Sequence, residues 1–153
     1  MREDHSLKGI PPPVYLALAV ALGVVLDILV PLPFLPSTFA FWLGVALGVV
    51  GVLLNWWAAF TMLRAHTSLT GLTGSTVVIQ SGPFALSRNP IYLSMLLLAA
   101  AVALAVNSGW GLMLLVPLFL ALYFFVVVSE EQYLESLFGD EYRNYCSRVP
   151  RWV

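Results

Sequence analysis

Apolar residues run through this chain in long blocks, and polar residues gather between and after them. Positions 14–30 are almost wholly apolar, 39–63 form a longer block, and 90–106 and 112–128 form two more. At about 1.5 Å of helical rise per residue, such blocks approach or exceed the roughly 30 Å of a bilayer's hydrocarbon core. The pattern predicts an all-α integral membrane bundle of about four transmembrane helices, followed over 129–153 by an amphipathic cytoplasmic helical tail. A cleaved signal peptide is the competing reading of the first block. Its length and the lack of a small-residue cleavage site favour a retained span. Pro31, Pro33 and Pro36 separate the first two blocks, and Asn107-Ser-Gly-Trp-Gly111 is short enough to force the last two into an antiparallel hairpin. Pro117 predicts a kink in the last span.

Composition agrees with the pattern. The 153 residues are 60% hydrophobic and 10% charged, with a mean hydropathy of +0.90, far from a soluble globular chain and of a size for one domain. Arg2 and Lys8 precede the first span, Arg64 and Arg88 lie between the second and third, and Arg143, Arg148 and Arg151 follow the fourth. By the positive-inside rule both termini and the central loop are cytoplasmic. Short loops suit a prokaryotic inner membrane, and an endoplasmic reticulum membrane is compatible as well. One cysteine, Cys146, excludes an internal disulfide, and His5 and His66 do not form a haem-holding pair. No cluster has metal-ligand spacing, so no metal is expected, and no nucleic-acid partner either. Within the spans, Asp27 reads as an interfacial carboxylate and Asn55 as a packing hydrogen bond. Gly44 and Gly48 would let another helix approach closely, within the chain or in a homodimer.

The chemistry is concentrated in two places. Ser81-Gly-Pro-Phe-Ala-Leu-Ser-Arg-Asn-Pro-Ile-Tyr92 holds an arginine, an asparagine, two prolines, a glycine and a tyrosine between apolar segments, more than lipid-facing packing calls for. Asn89 suits a helix N-cap and Pro90 the first helical position, so a helix is expected to start there with its positive end beside Arg88, a setting for an anionic ligand. The second place is Glu130-Glu131, where the last span leaves the membrane on the same side. Adjacent carboxylates point about 100° apart on a helix, so one can face the bundle and the other water. Gly139 reads as a helix stop and Asp140 as the next N-cap. Taken singly, these residues are also ordinary membrane-edge anchors, and a non-enzymatic scaffold that docks a partner is the competing class.

Together the residues resemble a known family. Gly82-Pro83-Phe84, Ser87-Arg-Asn-Pro-Ile-Tyr92, the run from Glu130-Glu131 through Leu134, Phe138-Gly139, Tyr142 and Tyr145, and the closing Val149-Pro-Arg-Trp152 look like isoprenylcysteine carboxyl methyltransferases and the related membrane phospholipid methyltransferases. The resemblance implies methyl transfer from S-adenosylmethionine to a lipophilic acceptor that enters from the bilayer, an isoprenylcysteine-type carboxylate or other lipid-linked group. The alternative acceptor is a phospholipid amine. Carried over by position, the cofactor shell comprises Gly82, Pro83, Arg88, Asn89, Pro90, Tyr92, Glu130, Glu131, Leu134, Tyr142 and Tyr145, with Arg88, Glu130 and Glu131 nearest the chemistry. Relatives often have His where Asn89 stands, and an amide has no proton to exchange near neutrality, which argues against a general base there.

Overall fold

The computed structural model describes residues 10–65 and 77–153. The expectations for the polar N-terminal tail with Arg2 and Lys8, and for the connection around His66, lie outside these residues. Within them the chain is helical, with no strand. Three helices are long and apolar enough to cross a membrane: α1 (Pro12–Leu29), α2 (Ser37–Arg64) and the nearly continuous stretch Gly109–Phe138. The remaining apolar helix, α3 (Pro90–Ala105), has 16 residues. It spans only about 24 Å, shorter than the expected block because Val106 and Asn107 leave the helix.

α3 is the packing centre of the bundle. Seven of its residues are buried, and its run of alanines lies against the glycines of α2. A Cβ added to Gly44 would stand 2.6 Å from the backbone nitrogen of Ala105 and 2.7 Å from the Ala101 carbonyl oxygen. The Gly44 face therefore makes a close crossing inside the chain, and the homodimer reading of that face gives way to this contact. Asn55 donates from Nδ2 to Ser94 Oγ at 2.8 Å, and Ser94 Oγ donates onward to the Ile91 carbonyl at 2.6 Å. This is the packing hydrogen bond expected of Asn55.

The fourth apolar block is subdivided. Helix α4 (Gly109–Met113) ends at Leu114, and α5 (Leu115–Leu122) carries Pro117 in its first turn. Proline has no amide for the Met113 carbonyl four residues back, which accounts for a break at this point rather than a bend further on. A π-helical turn, Tyr123–Val127, then leads into α6 (Val128–Phe138), and Gly139, at φ +53°, lets the chain reverse into α7 (Asp140–Arg148). Gly139 rather than Asp140 is the N-cap, so Asp140 sits in the first turn, where its charge still meets the positive helix end.

The two ends of the bundle differ. At one end the α1–α2 and α3–α4 connections are stitched together: Asn107, at φ +57°, accepts from the backbone amide of Leu35 at 3.2 Å and donates to the Leu35 carbonyl at 2.9 Å, and Trp110 Nε1 donates to the Val30 carbonyl at 2.8 Å. Asp27, near the end of α1, lines a small, mostly apolar cleft there with Gly23, Ser108 and Gly111. At the other end, loop 81–89, α6 and α7 meet. Tyr142, Tyr145 and Val149 bury one face of α7 and the segment after it against Leu134, Phe138 and Val78. Leu137, between Leu134 and Phe138 in sequence, is exposed.

Candidate functional site

The site is built where three pieces distant in sequence converge. A 3₁₀ turn, Gly82–Ala85, opens the first. Gly82 has φ +60°, and a Cβ there would stand 2.7 Å from Thr61 Oγ1, so its glycine serves the docking of the loop on α2. Pro83 and Pro90 are fully buried. Asn89 stands at the N-cap of α3, and its carbonyl accepts from the Leu93 amide at 3.0 Å. Its side chain makes no capping bond, contrary to expectation. Instead Nδ2 donates to the carbonyl oxygen of Arg151 at 3.0 Å.

The second piece is the start of α6. Its consecutive glutamates diverge as helical geometry requires, but both turn to protein partners rather than one to water. Glu130 Oε2 accepts from the Tyr92 hydroxyl at 2.7 Å. Glu131 Oε1 pairs with Arg88 Nη1 at 3.2 Å, the two side chains being 14% and 13% exposed.

The third piece is the segment that follows α7. Arg151 grips Glu131 with Nε at 3.0 Å from Oε1 and Nη2 at 2.7 Å from Oε2, and its Nη1 donates to the Tyr123 hydroxyl at 2.8 Å. Its backbone is held as well: the Arg88 amide donates to the Pro150 carbonyl at 3.0 Å, and Ser87 Oγ to the Arg151 carbonyl at 3.3 Å. Trp152 packs on Phe119 of α5, ring centroids 5.2 Å apart.

Arg88 is thus shared. Nη1 also donates to Cys146 Sγ at 2.7 Å, while its buried Nε has no hydrogen-bond partner among the described residues. A buried guanidinium N–H without an acceptor is costly, about 1–3 kcal/mol or more, and marks a place where an anionic group would be well received. Tyr142 and Tyr145 lie beside this cluster, ring centroids 6.0 Å apart. Burial is the main cause that raises both phenols: Tyr145 is pushed up to about 12, with Arg88 opposing, and Tyr142 goes higher still. They are neutral donors at physiological pH, as Tyr145 shows by donating to the Phe84 carbonyl at 2.7 Å.

Of the expected residues, Arg88 and Glu131, and Tyr92 and Glu130, are brought into direct contact. Asn89, Pro90, Tyr142 and Tyr145 stand around them, while Leu134 packs beneath the tyrosines. The expectation did not include Arg151, Tyr123, Ser87 and Cys146. Arg151 was visible within the closing Val149-Pro-Arg-Trp152 block; nothing in the sequence pattern marked Tyr123, whose position depends on the π turn.

An apolar helical bundle with three helices long and apolar enough to cross a membrane, and with an acid and arginine cluster at one end, defines a membrane protein with a polar cluster at the edge of its apolar body. The phospholipid methyltransferase family model matches residues 39–141, and the chain belongs to this family, which is the isoprenylcysteine carboxyl methyltransferase-like group of membrane methyltransferases. The chain is also 40% identical over 63 residues to an uncharacterised protein of Haemophilus influenzae, a match that takes in 41% of this chain and all of that protein. No solved structure matches it significantly.

Proposed function

We propose that the chain works as a single S-adenosylmethionine-dependent methyltransferase unit acting on a lipophilic acceptor drawn from the bilayer. The observation that carries this reading is the joining of the loop before α3 and the first turn of α3 to the start of α6 by two direct contacts, Arg88 to Glu131 and Tyr92 to Glu130. The donor set suits the cofactor: an arginine with a buried unpartnered Nε for a carboxylate, acids for an ammonium, and aromatic rings for a cation. When bound, S-adenosylmethionine would supply an electrophilic methyl group on a sulfonium.

The chain's own residues then divide the work. Arg88 and the α3 N-terminus at Pro90 hold the cofactor's carboxylate. Tyr92 and Tyr142 offer ring faces to positive charge, and Gly82, Pro83, Asn89, Leu134 and Tyr145 shape the walls. Glu131 is neutralised by two guanidiniums, whereas Glu130 has a phenol for its partner and no cation within ion-pair distance among the described residues. That asymmetry favours an amine-bearing lipid as acceptor: Glu130 attracts the ammonium form and can accept the proton that must leave before attack. The second reading is a lipid-linked carboxylate of the isoprenylcysteine type, for which neutralising two opposite charges in a dry site is itself favourable. Against it, Glu130 would repel the acceptor and both arginines already serve Glu131. In this reading the site and both termini face the cytoplasm of a prokaryotic inner membrane.

The test is calorimetric binding of S-adenosylmethionine to detergent-solubilised protein, wild type beside Arg88→Ala, followed by transfer of labelled methyl to phosphatidylethanolamine vesicles or to a farnesylated cysteine. Saturable binding weakened by the variant, with label on the amine headgroup, is the expected result. Label on the cysteine carboxylate would select the second reading, and no binding to folded wild type would sink the methyltransferase proposal.

A further inference from the structure

The segment after α7 lies beyond the residues that the family model matches, yet it is the most heavily bonded part of the site. Three hydrogen bonds from Ser87, Arg88 and Asn89 fix the carbonyls of Pro150 and Arg151. From that anchored backbone the Arg151 side chain crosses to α6 and to the π turn, where it meets Glu131 and Tyr123. Its guanidinium also stands 5.2 Å from the centroid of the Tyr123 ring. A residue that only tied this segment down would not need a bidentate grip on a carboxylate already paired with Arg88.

We propose that Arg151 is a positioning residue for the site: it strap-locks the segment after α7 across loop 87–89 and commits Glu131 to the two arginines, so that Glu130 is left as the acid available to a cationic group. The inference rests on the methyltransferase reading and deepens it. Without Arg151, Glu131 would keep only the single Arg88 contact, on Oε1, and Oε2 would lose its partner. Two acids would then compete for the same ligand ammonium, and Arg88 would be drawn wholly to Glu131, away from a ligand carboxylate. The geometry demands the planar fork of arginine, because a lysine ammonium cannot span both carboxylate oxygens and reach Tyr123 as well.

The experiment compares wild type, Arg151→Lys and Arg151→Ala. S-Adenosylmethionine affinity, the KM for the cofactor and kcat are measured on material whose folded fraction is set by thermal unfolding. Arg151→Ala is expected to weaken cofactor affinity about tenfold, corresponding to about 1.4 kcal/mol, and to raise KM by a similar factor in the folded fraction. Arg151→Lys should recover less than half of that loss on a logarithmic scale. A merely structural staple predicts a lower folded fraction with unchanged affinity and KM in what remains folded, and that result overturns the inference. If wild type binds and Arg151→Ala binds equally well, the positioning role fails while the methyltransferase reading stands. If wild type itself does not bind, it is that reading which fails.

Discussion

Glu131 is the one side chain that both arginines of the site grip, and its removal should be the most damaging single change there. Glu131→Gln keeps the shape and one possible hydrogen bond but leaves Arg88 and Arg151 facing each other with no anion between them. The Arg88 and Glu131 side chains are 13% and 14% exposed, so water screens them little, while Arg151 at 33% is better hydrated. Breaking a buried pair by removing one partner costs about 3–5 kcal/mol, and the full range applies here because two cations lose their partner at once. Arg88→Met is the comparison. It deletes one 3.2 Å contact and the bond to Cys146, but Glu131 retains its bidentate partner, so the loss should be about 1.5–3 kcal/mol, the range for a hydrogen bond to a charged group. At about 2–4 °C per kcal/mol for a chain of this length, Glu131→Gln should lower the unfolding midpoint by roughly 6–20 °C and Arg88→Met by clearly less. Differential scanning calorimetry in one detergent, with S-adenosylmethionine omitted, reads the order directly. An Arg88→Met protein less stable than Glu131→Gln would refute the shared-acid account, as would a Glu131→Gln midpoint equal to wild type.

Three further outcomes follow from the packing and the charges. Gly44→Ala should cost about 1–3 kcal/mol in thermal unfolding, since its new Cβ meets backbone atoms of α3 at 2.6 and 2.7 Å, whereas Gly48→Ala, whose Cβ meets only the Ala101 methyl at 3.5 Å, should be near neutral; equal midpoints for the two would refute the close crossing. Gly139→Ala should cost about 1–3 kcal/mol and loosen α7, because φ +53° with ψ −121° is a region that alanine rarely adopts, and protease nicking between α6 and α7 that is no faster than wild type would count against it. Tyr145 is raised from 10.0 to about 12, so the folded protein holds this proton where the unfolded chain has lost it; the stability it contributes is complete below pH 10 and is lost as pH rises through about 12. A tyrosinate absorbance titration should show that late component in wild type and not in Tyr145→Phe, and identical titrations would contradict the buried donor.

What the sequence disclosed, and what it withheld, follows the range over which each signal acts. The apolar blocks are local and additive, and the edges of α2 fell within two residues of expectation because Pro36 and the charge at Arg64 both stop apolar helices. The Gly44 spacing announced a close helix approach without naming the partner, since small residues on one helix say nothing about which other helix fills the groove. Asn89 is the instructive case. The residue type suited an N-cap, and it does occupy that position, yet its side chain was claimed by the Arg151 carbonyl, 62 residues away. A long-range acceptor fixed by a folded strap engages the amide in place of the local backbone donors that a cap would meet, and no local pattern could reveal that. The two-arginine clamp was hidden for the same reason. Glu130 and Glu131 are indistinguishable as neighbours in a sequence, and only the rotation of about 100° between them, set against a loop on one side and a strap on the other, gives one a phenol and the other two guanidiniums. Under the proposed function, roles follow from which element each side chain faces, so the proposed reacting acid, Glu130, and the proposed holding acid, Glu131, should be separable by mutating their partners, Tyr92 and Arg151, rather than the acids themselves.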